Sequence, residues 1–222
     1  MTISTRLIRV LCFSMITTVL ATHAHAQDDA LESAVAHVGV GVGINFYHPT
    51  SSEGEPSDGL TVAYRWHSFH SGWGPTFGID WHTTDFHQTF GAVEAPIGSL
   101  RMRAVLVGIG HTKRLGRFTT SASVSGGYSF NHLTVDNGMV PAFRNAGVSL
   151  VGVRVNDSAI GKPDIAIWYD VFKHVGVGVS LSYLLIRPQE VTTTLTGTET
   201  RNLKADTWVF TTGLVFGLWK QQ

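Results

Sequence analysis

The sequence has 222 residues, with 16 Lys and Arg against 16 Asp and Glu, so its formal net charge is zero at pH 7. This balance excludes the strongly basic surface that nucleic-acid binding requires. The only cysteine, Cys12, lies in a predicted N-terminal signal, so the mature chain is expected to have neither disulfides nor thiol chemistry.

Residues 1–26 predict a secretory signal. Arg6 and Arg9 precede an apolar stretch over residues 10–21, and an Ala-His-Ala cleavage site ends the segment. We expect cleavage there and a single domain over residues 27–222. An uncleaved helical anchor is the alternative, but the stretch is too short to span a bilayer as a helix.

Alternation of bulky and small residues predicts eight β-strands. In the fifth strand Phe118, Val124 and Phe130 share one parity, while serine, threonine and glycine occupy the other. Side chains at period two therefore give this strand one bulky face and one small face. The predicted strands lie near residues 35–47, 60–70, 75–83, 99–112, 117–132, 163–172, 175–187 and 204–219.

The predicted connections are alternately long and short. The long ones are residues 48–59, 84–98, 133–162 and 188–203, and the short ones are residues 71–74, 113–116 and 173–174. An even strand count with short turns at one end is typical of a transmembrane barrel, whose short turns face the periplasm. A soluble barrel with an internal cavity is the alternative.

Aromatic residues on the bulky faces gather at two heights. The predicted outer set is Phe46, Trp81, Tyr128, Phe130, Tyr183 and Trp208, and the inner set is Trp66, Phe77, Phe118, Tyr169 and Phe216. Two such belts are typical of the two membrane interfaces. They favour lipid outside the barrel and small residues inside its narrow lumen.

The last strand adds a more specific signal, since Trp208, Phe210, Leu214 and Phe216 alternate with smaller residues towards the C-terminus. With this strand and its eight-strand pattern, the chain resembles the small eight-stranded outer-membrane barrels, the OmpA-like and OmpX-like group, over essentially all of the mature sequence. The resemblance implies an all-β, antiparallel up-and-down barrel in the bacterial outer membrane, inserted by the assembly machinery. It implies no cell-wall tether, because no peptidoglycan-binding domain follows the barrel. The chain departs from the pattern by adding polar residues after Trp219.

An ion pair is predicted in the lumen of the second hairpin. A four-residue turn over residues 71–74 places Arg65 opposite Asp80 on the inward face. A guanidinium and a carboxylate in a narrow lumen must be paired, because leaving either alone costs several kcal/mol. We interpret the pair as a plug that closes the pore, with a gate or a proton pathway as the alternative.

Two further carboxylates are inward by parity. The third short turn pairs Asp164 with Ser182 and Trp168 with Gly178, so that the tryptophan packs against a glycine. Asp164 and Asp170 are expected either to join the same lumenal network or to contact water.

Arg101 and Arg103 share the lipid-facing parity of Val105 but lie at the outer end of the fourth strand. There they are positioned to contact lipopolysaccharide phosphates, which arginine binds through bidentate hydrogen bonds. The alternatives are that this strand end stands in water above the membrane, or that a bulge changes its parity.

No residues predict a catalytic, cofactor or metal site. His67 and His82 share the inward parity, but the predicted register separates them. Barrel enzymes that modify lipid A use histidine and serine near the outer rim, whereas His67 and Ser71 lie near the periplasmic end.

The long loops are the remaining functional surface. Residues 51–59 are acidic and expected to be mobile, and residues 192–200 are threonine-rich and expected to prolong the last hairpin. We therefore predict a non-enzymatic protein with an envelope-structural or surface-interaction role and an unknown extracellular ligand. A narrow passive pore and a lipid A-modifying enzyme are the alternatives.

Overall fold

A computed structural model describes residues 38–66, 71–90, 93–136, 138, 139, 141, 144, 150–172 and 175–217, without the side chains of residues 38, 64–66, 88–90, 93–96 and 150. All described residues belong to one compact unit. The predicted signal over residues 1–26 lies outside the described residues. Within the described residues, no helix is long and apolar enough to cross a membrane.

Eleven strands account for most of the described chain. They are β1 (Val38–Pro49), β2 (Ser57–Trp66), β3 (Gly72–Phe90), β4 (Val93–Leu115), β5 (Phe118–Val135), β6 (Leu150–Val155), β7 (Ser158–Phe172), β8 (Val175–Ile186), β9 (Gln189–Thr194), β10 (Gly197–Asn202) and β11 (Thr207–Gly217). Eight of them close into an antiparallel barrel in the order β1-β11-β8-β7-β5-β4-β3-β2. The predicted eight-stranded antiparallel barrel is confirmed.

The outward face carries the bulky residues that period two assigned to it. On β5 the exposed side chains include Phe118, Val124, Tyr128 and Phe130, and the inward serines are buried or half-buried. From Phe118 to Phe130 the strand covers about 40 Å, which is about 30 Å of height at the usual barrel tilt. This height matches an apolar band of about 25 Å between two aromatic girdles.

Ring contacts cluster at both ends of that band. Towards the outer end Tyr183 packs on Trp208 with ring centroids 4.8 Å apart, and towards the periplasmic end Phe118 packs on Tyr169 at 4.9 Å. The predicted belt residue Trp66 has no described side chain.

The long connections contain more structure than the sequence analysis predicts. Residues 84–90 and 93–98, expected to belong to a loop, continue β3 and β4 as paired strands that project beyond the apolar band. Strands β6, β9 and β10 form a separate three-stranded sheet in the order β10-β9-β6. The expectation that residues 192–200 prolong the last hairpin is confirmed, because β9 and β10 pair in the same register as β8 and β11, and β6 adds a third strand beside β9.

The first long loop is attached to the β3 extension rather than free. Gly54 forms a bridge with Phe86, and backbone hydrogen bonds join Glu55 to Asp85 and His87 to Glu53. The expectation of a mobile acidic loop over residues 51–59 is corrected by these contacts. Together with the β6, β9 and β10 sheet, this loop and the β3–β4 extension form what we call the extracellular cap.

Candidate functional site

A buried ion pair crosses the centre of the lumen. Asp80 on β3 is 2% exposed, and its Oδ2 accepts a 2.6 Å hydrogen bond from Nζ of Lys162 on β7. These strands are three steps apart around the barrel, so the pair bridges two sides of the wall. Thr61 on β2 donates a second hydrogen bond, of 2.6 Å, to Oδ1 of Asp80. Both carboxylate oxygens thus have partners, as a buried charge requires.

A second polar chain lies beside this pair. Thr211 donates to Oδ1 of Asn45 at 2.6 Å, and Nδ2 of Asn45 donates to the Tyr47 hydroxyl at 2.7 Å. The Tyr47 ring stacks on His82 with centroids 3.7 Å apart, and His82 shares the inward face of β3 with Asp80. We call the combined set the lumenal plug: Asn45, Tyr47, Thr61, Asp80, His82, Lys162 and Thr211.

The outer half of the lumen is filled by apolar side chains. Leu100, Leu184 and Val209 have no exposed surface, and two buried residues outside the strands, Met139 and Leu203, join the same cluster. We call this cluster the apolar lumen core: Tyr47, Phe86, Ile97, Leu100, Met102, Ala104, Leu106, Met139, Ile160, Leu184, Ile186, Leu203, Ala205 and Val209. Membrane barrels usually have a polar interior, so this packing resembles the core of a soluble protein.

The periplasmic half of the lumen is more open. A cavity of about 140 Å³ lies on the periplasmic side of Asp80 and Lys162, between the inward glycines of β1 and the inward serines of β5. Asp164 and Trp168 line the same space. Polar side chains such as Asp80, Lys162 and Asp164 line it together with a larger apolar surface.

The predicted opposition of Arg65 and Asp80 is wrong. Asp80 faces Thr61 across the β2–β3 ladder, and Arg65 faces Thr76. The reason is that β3 already begins at Gly72, inside the four-residue turn that the prediction assumed. The Arg65 side chain lies outside the described residues.

The register predicted between β7 and β8 is confirmed away from the turn, whereas next to the turn the pairing shifts between Asp170 and Phe172, so that Val175 faces Phe172 instead of the expected Val171. Asp164 faces Ser182 and Trp168 faces Gly178. A Cβ atom added at Gly178 would lie 2.8 Å from the Cβ of Trp168, so glycine is needed there for the indole to pack inward.

Asp170 does not reach the lumenal plug. It is buried at the periplasmic end of β7, and its Oδ2 lies 3.2 Å from Nη2 of Arg114. Arg114 belongs to β4, two steps away around the barrel, and lies in the predicted turn over residues 113–116. This second pair joins strands at the periplasmic mouth instead of the centre.

Lys162 is the residue that the sequence analysis missed. The predicted strand began near residue 163, so Lys162 fell in the predicted connection over residues 133–162. In the structure β7 begins at Ser158, and pairing with β8 skips Lys162 and Pro163 while pairing with β5 continues through both. Extending the inward parity of Asp164 back by two residues would have identified Lys162.

Arg101 and Arg103 point outward, as their parity predicts. Both are exposed, and the ladder to β5 runs without a shift from Gly98 to Leu115, so no bulge changes their parity. The Arg103 guanidinium lies 4.9 Å from the centre of the Trp81 ring.

Solved structures of outer-membrane proteins share this architecture. The outer membrane protein OprG from Pseudomonas aeruginosa matches with a TM-score of 0.70 at 12% identity, over 85% of this chain and 98% of that one. The outer membrane protein AlkL matches with a TM-score of 0.52 at 9% identity, over 90% and 98% of the two chains. Neisserial surface protein A matches with a TM-score of 0.50 at 7% identity, over 83% and 99%. No protein-family model and no curated protein matches the sequence.

The fold is that of the small eight-stranded outer-membrane barrels. In barrels of this class the apolar, girdled belt faces outer-membrane lipid and the short turns lie in the periplasm. The extracellular cap and the apolar lumen core lie towards the outer end of this barrel, whereas the glycine-lined cavity lies towards the periplasm.

Proposed function

We propose that this outer-membrane barrel is non-enzymatic, closed to hydrated ions, and active through its extracellular cap. The observation that carries the proposal is the apolar lumen core, in which Leu100, Leu184 and Val209 have no exposed surface. An ion that crosses a membrane needs a continuous polar path, and burial of an unpaired charge costs several kcal/mol. The lumenal plug adds a second layer beneath the core.

Single-channel recording of the refolded protein in a planar bilayer tests the closed state. We expect no discrete conductance steps from the unmodified protein or from Asp80→Asn, after heat-modifiable gel migration has verified insertion. The double variant Leu184→Gly, Val209→Gly is the matched variant that opens the lumen. Both substitutions remove side chains from the apolar lumen core and leave the lumenal plug unchanged. Discrete steps from the unmodified protein would refute the closed state and favour a narrow pore.

The cap supports a surface role because polar contacts hold it in one arrangement. Arg201 on β10 donates a 2.8 Å hydrogen bond to Glu190 on β9, whose side chain is 2% exposed, and also lies 3.5 Å from Glu53 in the first loop. Arg187 pairs with Asp206 at 3.2 Å between β8 and β11. Loops held on a rigid scaffold are a common site of binding.

Epitope insertion tests which end of the barrel faces outward. An epitope placed between Leu195 and Thr196, in the turn between β9 and β10, is expected to be labelled on intact cells. An epitope placed after Leu115, in the β4–β5 turn, is expected to need permeabilised outer membranes. The reverse labelling pattern would refute the orientation. Lipid A recovered with its acyl chains intact after incubation with the protein is the expected outcome for a non-enzymatic barrel.

Passage of small apolar molecules is a second candidate function. The specific observation in its favour is that the outer lumen is lined by leucine, isoleucine and methionine, through which an apolar solute could pass if the side chains rearranged. Liposomes that contain the protein should then take up a fluorescent apolar probe faster than liposomes that contain an unrelated closed barrel. Equal uptake rates would remove this candidate.

A further inference from the structure

Two rows of outward residues mark the outer edge of the apolar band on β3, β4 and β5. The lower row pairs Trp81, Arg103 and Phe130 across the three strands, and the row above pairs Thr83, Arg101 and His132. Beneath them the next row is Ile79, Val105 and Tyr128. The outer wall therefore changes from apolar to cationic within two rows, at the height where lipid headgroups begin.

Both guanidinium groups are available to an external partner. Arg101 and Arg103 are exposed, and no carboxylate of the described residues forms an ion pair with either of them. Two acids lie near this face: Asp85, one row above Arg101, accepts a hydrogen bond from Ser99, and Asp157 accepts one from the backbone N–H of Asn131. Contact with Trp81 restrains the Arg103 guanidinium against the wall.

We propose that Arg101, Arg103 and His132 bind a phosphate of lipopolysaccharide in the outer leaflet. Alternate residues on a strand lie about 7 Å apart, so two arginines can contact one phosphate from two sides. Guanidinium groups bind phosphate through short, bidentate hydrogen bonds. The imidazole of His132, across the ladder from Arg101, adds a third donor.

The surroundings favour a phosphorylated lipid over a free anion. Trp81 and Phe130 flank Arg103 directly, and the rows beneath them are apolar, so acyl chains can pack on the same face that holds the phosphate. Cationic side chains above aromatic and apolar ones suit a molecule with a charged head and an apolar tail. The inference rests on the barrel orientation given above, in which the β3–β4 extension is extracellular.

Binding of fluorescent diphosphoryl lipid A to the refolded protein in zwitterionic nanodiscs tests the site. We expect Arg101→Gln with Arg103→Gln to raise the apparent Kd about tenfold or more, since a hydrogen bond to a charged group commonly contributes about one decade in affinity. The matched control is Lys113→Gln, which removes an exposed cation from the same face of β4 at its periplasmic end. That control should change the Kd less than about twofold, because exposed single charges contribute little.

Three further measurements separate the possible sources of binding. Dephosphorylated lipid A with the same acyl chains should bind the unmodified protein as weakly as diphosphoryl lipid A binds the glutamine variant. Millimolar inorganic phosphate should displace little of the lipid, because it lacks the acyl-chain contacts. If the glutamine variant does not fold, Arg101→Lys with Arg103→Lys should still weaken binding several-fold, since ammonium groups lack the bidentate geometry.

Equal Kd values for the unmodified and arginine variants, or equal binding of both forms of lipid A, would overturn the proposal. Full displacement by inorganic phosphate would overturn it as well, because the site would then be a general anion site. The epitope-labelling experiment distinguishes failure of this inference from failure of the barrel orientation.

Discussion

The ion pair between Asp80 and Lys162 should contribute measurably to stability, because its carboxylate is almost completely buried. The side chains are 2% and 12% exposed, and the N–O distance is 2.6 Å. Lys162→Met leaves the buried Asp80 carboxylate with Thr61 as its remaining hydrogen-bond partner. We expect this substitution to lower the free energy of unfolding by about 3 to 5 kcal/mol. Asp80→Asn keeps the acceptor for Thr61 and leaves the ammonium beside the cavity, so its cost should lie near the lower end of that range.

The double variant decides whether the two side chains act as a pair. Replacing both charges removes the desolvation penalty together with the attraction, so the double variant should be within about 2 kcal/mol of the unmodified protein. The coupling energy from the cycle should then exceed about 2 kcal/mol, well above the 0.2 to 1 kcal/mol typical of exposed pairs. Equilibrium urea unfolding in detergent, followed by tryptophan fluorescence, measures all four free energies of unfolding. A coupling energy below about 0.5 kcal/mol would refute a buried, cross-lumen pair.

Three further substitutions test the packing of the lumen and the cap. Gly178→Ala places a methyl group 2.8 Å from the Trp168 Cβ and should cost about 1 to 3 kcal/mol in urea unfolding, whereas the control Gly126→Ala meets no atom closer than 3.8 Å and should cost less than about 0.5 kcal/mol. Leu184→Ala should cost about 2 to 5 kcal/mol, because it empties part of the apolar lumen core, and the lipid-facing Leu181→Ala should cost clearly less. Glu190→Gln should speed amide hydrogen exchange in β9 and β10 about tenfold without changing exchange in β8, since it weakens the contact that holds the β9–β10 hairpin. Equal costs within either matched pair, or faster exchange throughout the barrel, would contradict the packing described here.

Period-two alternation was sufficient to predict the barrel and the outward faces, but not every register. The turn between β7 and β8 is short, and the pairing of Trp168 with Gly178 is correct although the register shifts between Asp170 and Phe172. The β2–β3 hairpin offered several turn positions of the same parity, so Asp80 was assigned the wrong partner. The predicted strand began five residues later than β7 does and so left out Lys162.

The apolar lumen core escaped prediction for a different reason. Leu100, Met102 and Leu184 were all inward by parity within predicted strands. Near the outer ends of these strands, however, large apolar residues occupy both faces, as Val105 and Leu185 do on the outer wall. The contrast between bulky and small faces then disappears, and period two cannot separate a lumen filled with water from one filled with side chains.

The two faces of the wall exchange character at the height of Arg103. Below it most outward residues are apolar, and the inward ones are mainly glycine, serine, threonine and alanine, with larger exceptions that include Asp80, Leu106 and Trp168. Above it the outward residues Thr83 and Asp85 are exposed and polar, while the inward residue Phe86 is buried with the apolar lumen core.

This inversion follows from the solvent on each side. Outward apolar residues that face lipid gain nothing from burial, because lipid is as apolar as the protein interior. Apolar residues near the cap would otherwise contact water, so hydrophobic burial stabilises the barrel chiefly where it extends above the membrane. The outer half of the barrel therefore packs like a soluble β-protein, whereas the other half packs like a membrane barrel. Arg101 and Arg103 lie at the boundary between the two halves.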